Sequence, residues 1–271
     1  MIDSPDAPIG VIGGSGFYEF IDEPTAVDVE TPFGAPSEPV LTGSISGRPV
    51  AFIPRHGRDH RFPPHRVPYR ANLWALRAVG VRQVFGPCAV GSLRPELGPG
   101  SLVVPDQLVD RTHGRESTYY DSIGPVVHVS FADPYCPVGR LAVLEAANSQ
   151  SWAATDGGTL VVIPGPRFSS RAESRDNAAA GWSIVGMTGQ PEAALARELA
   201  LCYTSIAVVT DLDAGVEAGE GVTHHEVLEV FAESVDRLRD LLAAAITALP
   251  TSRGCPCGHA LDGQPLPFEL P

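Results

Sequence analysis

The sequence predicts an α/β fold in which helices flank a mixed central β-sheet. Seven short apolar segments each run into small, hydroxyl-bearing or charged residues, which is typical of strands ending at a ligand-binding edge. Segments of helical periodicity alternate with these strands, and this alternation favours a layered architecture. Two early strands flank Gly47 as a hairpin, so the sheet must contain antiparallel as well as parallel pairs.

The first predicted strand, 9–13, runs into the glycine-rich turn Gly13-Gly-Ser-Gly16. Glycines here would let backbone N–H groups approach an anion, and the Ser15 hydroxyl could add a hydrogen bond. The spacing does not match the G-x-G-x-x-G fingerprint of dinucleotide-binding proteins. A phosphate cradle and a tight structural turn both fit this segment.

The hairpin arms, 40–46 and 49–53, lead into Arg55 and His56. A guanidinium group suits bidentate contact with an oxyanion, so this pair is a candidate anion site. Three histidines lie between positions 56 and 65, but interleaved arginines would repel a cation there. We therefore expect no metal at this site.

Further elements follow in alternation. The expected helices lie at 69–79, from Ser170, from Pro191 and from Thr223, and the expected strands lie within 83–92, 101–105, 158–163 and 183–186. Ser170 and Glu173 form a capping box, as do Thr223 and Glu226. The last helix carries an apolar face from Val227 to Ile246.

The segment Ser205-Ile-Ala-Val-Val-Thr-Asp-Leu-Asp213 is an apolar strand that ends in two carboxylates. Side chains two apart on an extended segment share a face, so Asp211 and Asp213 can converge on one ligand. Two close carboxylates tend to hold one proton between them. The pair could then donate one hydrogen bond and accept another, as the N7 and amino edge of adenine requires. Two solvated loop acids are the alternative.

Composition excludes several classes of function. The chain has 271 residues, 44% of them hydrophobic, and a formal charge of -13, which disfavours binding to nucleic acid or anionic membranes. No apolar run is long enough to span a bilayer, and the first residues do not resemble a secretory signal. Five scattered cysteines do not form a disulfide framework, so we expect a cytoplasmic protein.

Residues 1–250 are expected to form one domain, and 251–271 a tail rich in Cys, Pro and Gly. Within the tail, Cys255-Pro-Cys257-Gly-His259 could be a redox pair or half of a zinc site. No second ligand cluster is apparent in the sequence. We therefore expect a flexible tail without a metal.

Several motifs, in order, resemble those of the 5'-methylthioadenosine phosphorylases, a branch of the trimeric purine nucleoside phosphorylases. They are Gly13-Gly-Ser-Gly16, Pro54-Arg-His-Gly57, Val90-Gly-Ser92, Asp106-Gln-Leu-Val-Asp-Arg-Thr112, Gly165-Pro-Arg-Phe-Ser-Ser-Arg-Ala-Glu-Ser174, Met187-Thr188 and Thr210-Asp-Leu-Asp213. The resemblance covers about 9–248. It implies the nucleoside phosphorylase fold, a homotrimer and phosphorolysis of a purine nucleoside, with phosphate as co-substrate and no cofactor.

The resemblance also implies roles for single residues. It places Ser15, Arg55, His56, Cys88, Ala89 and Thr188 around phosphate, and Ser169, Met187, Asp211, Asp213, Val227 and Leu228 around the nucleoside. Cys88 stands where a phosphate-binding Thr is expected, so the backbone of Ala89 is expected to carry that contact. His128 is expected to reach the site of a neighbouring subunit.

His224 departs from the family pattern. Methylthioadenosine phosphorylases usually present apolar residues to the methylthio group here, whereas enzymes that accept a 5'-hydroxyl place a histidine. His224 and His225 are about 100° apart on a helix, so only one is expected to face the site. The hypothesis is tolerance for adenosine; two solvated first-turn histidines are the alternative.

The leading interpretation is phosphorolysis of 5'-methylthioadenosine, or of a related 5'-modified adenine nucleoside, with Asp211, Asp213 and His56 in the chemistry. A purine nucleoside phosphorylase that accepts adenosine or 6-oxopurine nucleosides is an alternative. A non-catalytic purine-binding module and a nicotinamide-dependent oxidoreductase are more distant alternatives, the latter disfavoured by the missing fingerprint.

Overall fold

The computed structural model describes residues 7–14, 21–216 and 224–271, and the fold is described within these ranges. The strands are β1 (Ile9–Gly13), β2 (Asp22–Val27), β3 (Val40–Ile45), β4 (Arg48–Pro54), β5 (Gln83–Ser92), β6 (Leu102–Val104), β7 (Gln107–Asp110), β8 (Ala154–Asp156), β9 (Thr159–Val162), β10 (Ile184–Gly186) and β11 (Cys202–Leu212). The α-helices are α1 (Tyr69–Ala78), α2 (Pro137–Ser149), α3 (Arg171–Ala179), α4 (Gly189–Glu198) and α5 (His224–Ala248). Short 3-10 turns occupy Pro64–Arg66 and Pro256–His259.

The strands form one mixed sheet, as the sequence predicts. Its main path runs β2-β3-β4-β1-β5-β10-β9-β7, and β11, β6 and β8 branch from β5. The pairs β1·β4, β1·β5 and β5·β11 are parallel. The expected hairpin is present, because β3 and β4 pair antiparallel across Gly47.

Strand β5 is the hub of the sheet. Its first residues pair with β1, its last residues pair with β10, and its whole length pairs with β11. Because β1, β4, β5 and β11 are parallel, their carboxyl ends meet at one edge. The segments that follow these strands are therefore brought together.

Helices cover both faces of the sheet. One core lies between the sheet and the helices α2 and α5, and includes Phe52, Ile206 and Leu242. The other lies beneath α1 and α4 and includes Leu73 and Leu195. Among the described helices, none combines the length and apolar composition that a membrane span requires.

The expected capping box of α3 is present: the Ser170 hydroxyl accepts from the Glu173 N–H, and the Glu173 carboxylate accepts from the Ser170 N–H. The capping box expected at Thr223 lies outside the described residues. The strands β2, β7 and β8 and the helix α2 were not anticipated from the sequence.

The expectation of a flexible tail is wrong. Cys255 and Cys257 are buried against Cys136 and Cys202, which supply the second cluster that the sequence did not reveal. Further along, the Phe268 ring stacks on Tyr120 with ring centroids 5.4 Å apart. The tail packs on the domain because its cysteines and its aromatic ring have apolar surface to cover.

Candidate active site

A cavity of about 590 Å³ opens where the carboxyl ends of β1, β4, β5 and β11 meet. Ten of the sequence-predicted site residues line it: Arg55, His56, Cys88, Ala89, Ser169, Met187, Thr188, Asp211, Asp213 and Val227. Met187 and Thr188 are not positioned by a parallel strand end, because they follow β10, which runs antiparallel to β5. The candidate anion residues and the candidate purine residues therefore face one space.

Arg55 is held tightly at the anion end. Its Nε and Nη2 groups donate to the Glu192 carboxylate at 2.5 and 3.0 Å, and the side chain is 3% exposed. Its Nη1 donates to the Pro87 carbonyl and its Nη2 to the Ile12 carbonyl. A guanidinium has five N–H donors, so these four contacts leave one for a ligand. The expected bidentate clamp on phosphate is therefore not available, because Glu192 occupies that face.

Glu192 was missed as a site residue. In the sequence it reads as an acid in the first turn of a helix, which is a common position for helix stabilisation. In the structure it is buried, and its Oε2 also accepts from the Tyr203 hydroxyl at 2.7 Å. Glu192 thus fixes the plane of the Arg55 guanidinium.

His56 is a neutral imidazole rather than a cation. Burial, followed by the charge of Arg55, lowers the pKa of His56 to about 4. Nδ1 lies 2.8 Å from the Phe62 carbonyl, so Nδ1 carries the proton and Nε2 has a free lone pair. The ring also stacks on His60 with centroids 4.4 Å apart. Toward phosphate, His56 can accept a hydrogen bond from a P–OH group.

Three small side chains complete the anion end. The Cys88 thiol lies 3.7 Å from the Ser205 hydroxyl, and burial raises the pKa of this thiol, which keeps it protonated. The Thr188 side chain precedes α4 without capping it and lines the cavity. Ala89 lies beside them on β5. This end therefore offers neutral donors rather than a cluster of cations.

Asp211 and Asp213 also line the cavity, and both lie close to Gly91. A side-chain carbon at Gly91 would lie 3.0 Å from Asp211 Oδ1 and 3.4 Å from Asp213 Cβ. The register of β11 shifts between Val209 and Asp211, so the strand bulges at Thr210. The Thr210 hydroxyl donates to Asp211 Oδ2 at 2.8 Å. Both acids reach the cavity, although the strand between them is not regular.

The burial of Asp213 affects its pKa. This residue is 3% exposed, and its Oδ2 has no hydrogen-bond partner among the described residues. Burial raises the pKa of Asp213, against the smaller opposing effects of Ser169, Ser174 and the Ala214 N–H. The Ser169 hydroxyl, also buried, lies beside this carboxyl without a well-formed hydrogen bond to any described residue. Unpartnered buried groups of this kind are placed to meet a polar ligand.

Apolar side chains of α5 also line the cavity. Val227, an expected contact, is joined there by Phe231, whose spacing had suggested only a core position. Phe168, His60 and Arg61 also line the cavity and were not anticipated. Arg61 is engaged with Glu38 at 2.7 Å and with Asp59 at 3.1 Å.

Four predicted residues are not brought to the cavity by the described structure. Ser15 lies outside the described residues, and the side chains of His224 and Leu228 are likewise not described. His128 is exposed on the irregular segment between β7 and α2, where its N–H donates to Gln264 at 3.3 Å. It does not line the cavity of its own chain.

Residues 8–247 match the family model of the phosphorylase superfamily. The chain belongs to this superfamily. It is 62% identical to a purine nucleoside phosphorylase of Streptomyces coelicolor over the full length of both chains. It is 58% identical to an S-methyl-5'-thioadenosine phosphorylase of Mycobacterium tuberculosis, over 97% of each chain.

A solved member of the superfamily has the same fold. The methylthioadenosine phosphorylase of Schistosoma mansoni in complex with adenine superposes with a TM-score of 0.85, at 38% identity, covering 89% of this chain and 91% of that one. The expectation of a nucleoside phosphorylase fold is confirmed.

Proposed function

We propose that this protein cleaves the N-glycosidic bond of 5'-methylthioadenosine with inorganic phosphate, releasing adenine and 5-methylthioribose-1-phosphate. One observation carries the proposal: an anion end with Arg55 and His56 and a carboxyl pair at Asp211 and Asp213 face the same cavity. A ribose bridging the two ends would present its C1' to phosphate. The names of the relatives agree with this reaction class.

The mechanism follows from the charge that develops as the bond breaks. The C1'–N9 bond cleaves as a phosphate oxygen bonds to C1', so the sugar gains positive charge and the purine negative charge. Phosphate at Arg55, His56 and Thr188 stabilises the first. A proton given to N7 by the carboxyl pair stabilises the second.

The proton of the pair belongs to both carboxyls, as in other coupled acids. Burial raises the pKa of Asp213, which favours retention of a proton by the pair. A bound purine then determines which carboxyl carries the proton. N7 draws the proton to Asp211, and Asp213 accepts a hydrogen bond from the amino group. Ser169 contacts the base beside them. Phosphate is the co-substrate, and neither metal nor organic cofactor enters these steps.

The carboxyl pair also selects the base. A 6-oxopurine presents an oxygen where adenine presents its amino group, so a carboxylate there would meet an acceptor. Mispaired buried polar groups discriminate by roughly 10⁴ or more. We expect phosphorolysis of methylthioadenosine to exceed that of inosine by a large factor in kcat/KM. Preference for inosine in a spectrophotometric assay would refute the assignment of the purine end.

The 5' substituent lies at the α5 end of the cavity. Val227 and Phe231 offer apolar surface there, which suits a methylthio group. Adenosine is the second candidate, favoured by the histidine at position 224 and by the name of the Streptomyces relative. His224→Val should raise the preference for methylthioadenosine over adenosine. Equal preference in the wild type and this variant would remove His224 from specificity.

We further propose a cytoplasmic homotrimer in which His128 contacts a neighbouring site. Ile123 and Val126, on the same segment as His128, are large apolar residues exposed to solvent in the single chain. None of the five cysteines, all of which lie within the described ranges, forms a disulfide, and this fits a reducing compartment. Light scattering after gel filtration should give three times the chain mass of 28.6 kDa. A monomer with full activity would contradict both the assembly and the role of His128.

A further inference from the structure

Four of the five cysteines form a cluster outside the active-site cavity. Cys136 precedes α2, Cys202 begins β11, and Cys255 and Cys257 belong to the C-terminal tail. Each is less than 7% exposed, and their sulfur atoms all lie within 4.8 Å of one another. None of the four lines the cavity described above. The fold therefore gathers thiols from three distant parts of the chain.

The spacing of the sulfurs suits a shared metal ion better than disulfide bonds. The Cys202 and Cys255 sulfurs are 3.3 Å apart, whereas a disulfide requires about 2.05 Å. In a tetrahedral zinc site with bonds of about 2.3 Å, neighbouring sulfurs lie roughly 3.8 Å apart. Four thiols enclosed within 4.8 Å need only small shifts to reach that geometry.

We propose that Cys136, Cys202, Cys255 and Cys257 bind one Zn²⁺ ion as a tetrathiolate structural site. Binding replaces four S–H bonds with four Zn–S bonds and releases four protons to solvent, so no oxidant or reductant is needed. The site has no open position for substrate, as is usual when zinc is structural. It takes a borderline-soft divalent cation in preference to Mg²⁺ or Ca²⁺, which favour oxygen ligands.

The surroundings provide compensation for the net charge of such a site, which is negative. The Cys136 sulfur accepts from the Gly139 N–H at 3.5 Å, at the N-terminal end of α2. The guanidinium of Arg253 packs on Gly258, next to Cys257, and also donates to the Ala200 carbonyl at 2.8 Å.

Two further arginines lie near Arg253. Arg82 presents its carbonyl to the Cys202 N–H at 3.0 Å. Arg77 donates to the Leu199 carbonyl, and burial lowers its pKa to about 10, with Arg82 and Arg253 acting in the same direction. The three arginines therefore repel one another, and two of them, Arg82 and Arg253, adjoin the cluster through the backbone.

The metal would fasten the tail to the domain. Cys255 and Cys257 are tail residues, whereas Cys136 and Cys202 belong to the body of the fold. Beyond them, Gln264 accepts from His128, and Phe268 packs against Trp74 and Tyr120. The site thus stabilises the contacts of the tail with the segment that carries His128.

The direct test is the metal content and thiol content of the full chain. The protein is purified in reductant without added chelator, and zinc is measured by mass spectrometry after gel filtration. We expect about one zinc per chain, and five titratable thiols after denaturation in chelator, one for each cysteine. Four thiols lost to disulfides would overturn the proposal, as would zinc-free protein that fails to take up Zn²⁺ from a competing chelator.

Variants make the assignment specific. Cys257→Ser should lower bound zinc at least about tenfold, because a hydroxyl is a poor zinc ligand. Cys88→Ser is the matched control and should retain zinc, because Cys88 lies outside the cluster. Equal zinc in both variants would overturn the ligand assignment.

A measurement on the wild type covers the case in which the cluster variant does not fold. Chelator-treated protein is titrated with Co²⁺, which should give the intense visible bands of tetrahedral cobalt thiolate. Chelation should lower the Tm, and restoring Zn²⁺ should raise it again by at least about 5 °C. Absence of the bands would refute the site, whatever the outcome of the activity assays.

Discussion

At the scale of single residues, the proposed mechanism assigns the chemistry at the purine to Asp211 and Asp213. Both lie close to Gly91, and burial raises the pKa of Asp213, which favours a proton on the pair. The proposed mechanism directs that proton through Asp211 to N7. Removal of Asp211 therefore tests the mechanism without touching the phosphate end.

We predict that Asp211→Ala lowers kcat at least about a hundredfold, because removing a donor aimed at developing charge costs about 2.7 to 4 kcal/mol of barrier. Phosphate binding, measured by calorimetry, should be retained. Unchanged turnover would show that Asp211 does not supply the proton.

Glu192 is a positioning residue in this account, because it holds Arg55 by two hydrogen bonds. Glu192→Gln leaves a buried guanidinium without its charge partner and should cost about 3 to 5 kcal/mol of unfolding free energy. KM for phosphate should rise while KM for the nucleoside changes little.

The control for this variant is Asp176→Asn. Asp176 pairs with Arg111 at the surface, where the side chains are 67% and 42% exposed, so the change should cost less than about 1 kcal/mol. Equal destabilisation of the two variants in urea would show that burial does not strengthen the Arg55 pair.

His56 should give the stability a measurable pH dependence. Its pKa is lowered to about 4 from an ordinary value of 6.5, so below pH 6.5 the unfolded chain takes up a proton that the folded chain refuses. Stability should fall between pH 6.5 and 4, by up to about 3 kcal/mol from this group. Asp213 acts in the opposite sense, because its raised pKa favours the folded state as pH falls.

Urea unfolding of the wild type and His56→Gln across this pH range isolates the histidine contribution. The variant should lose less stability on acidification. Parallel profiles would mean that His56 titrates normally in the folded protein.

At the scale of secondary-structure elements, β5 and β11 build the cavity together. Gly91 allows β5 to approach Asp211 closely, and β11 bulges at Thr210, just before Asp211 enters the cavity lining. A side chain at position 91 would meet the Asp211 carboxylate at 3.0 Å and Val185 at 3.2 Å.

Gly91→Ala should therefore displace the Asp211 carboxyl and lower kcat at least about tenfold, with overpacking that costs about 1 to 3 kcal/mol. Gly98→Ala is the control, because a side-chain carbon there would meet no atom within 4 Å. Equal activity of the two variants in steady-state assays would remove the close approach at Gly91 from the account.

The sequence predicts the strands that carry the site, because each is an apolar run followed by functional residues. It does not predict β2 or α2: β2 is short, polar and exposed, and α2 is rich in alanine with little contrast between its faces. The bulge at Thr210 is set by pairing with β5, which no local pattern encodes. The ends of elements are likewise determined by partners distant in sequence.

The role of a residue that acts through a partner distant in sequence cannot be predicted from local sequence patterns either. Glu192 reaches Arg55 across 137 positions, and Cys255 meets Cys202 across 53. From Arg55 and His56 the sequence suggests an anion-binding site with two positive charges. In the structure the site is mostly neutral, because Glu192 pairs with Arg55 and burial favours the neutral form of His56.

At the scale of the whole molecule, the fold separates two tasks. The carboxyl ends of the parallel strands form the cavity. The tail packs through its cysteines against Cys136, just before α2, and Cys202, at the start of β11. The anion end and the purine end share one space of about 590 Å³, which is large enough for a nucleoside and phosphate together. The central claim is that these two ends act on one bond.

That claim is tested most directly by the products formed from methylthioadenosine with and without phosphate. Adenine should appear only with phosphate, matched mole for mole by a sugar 1-phosphate in the phosphorus NMR spectrum. Adenine released together with free methylthioribose, or at the same rate without phosphate, would contradict the account.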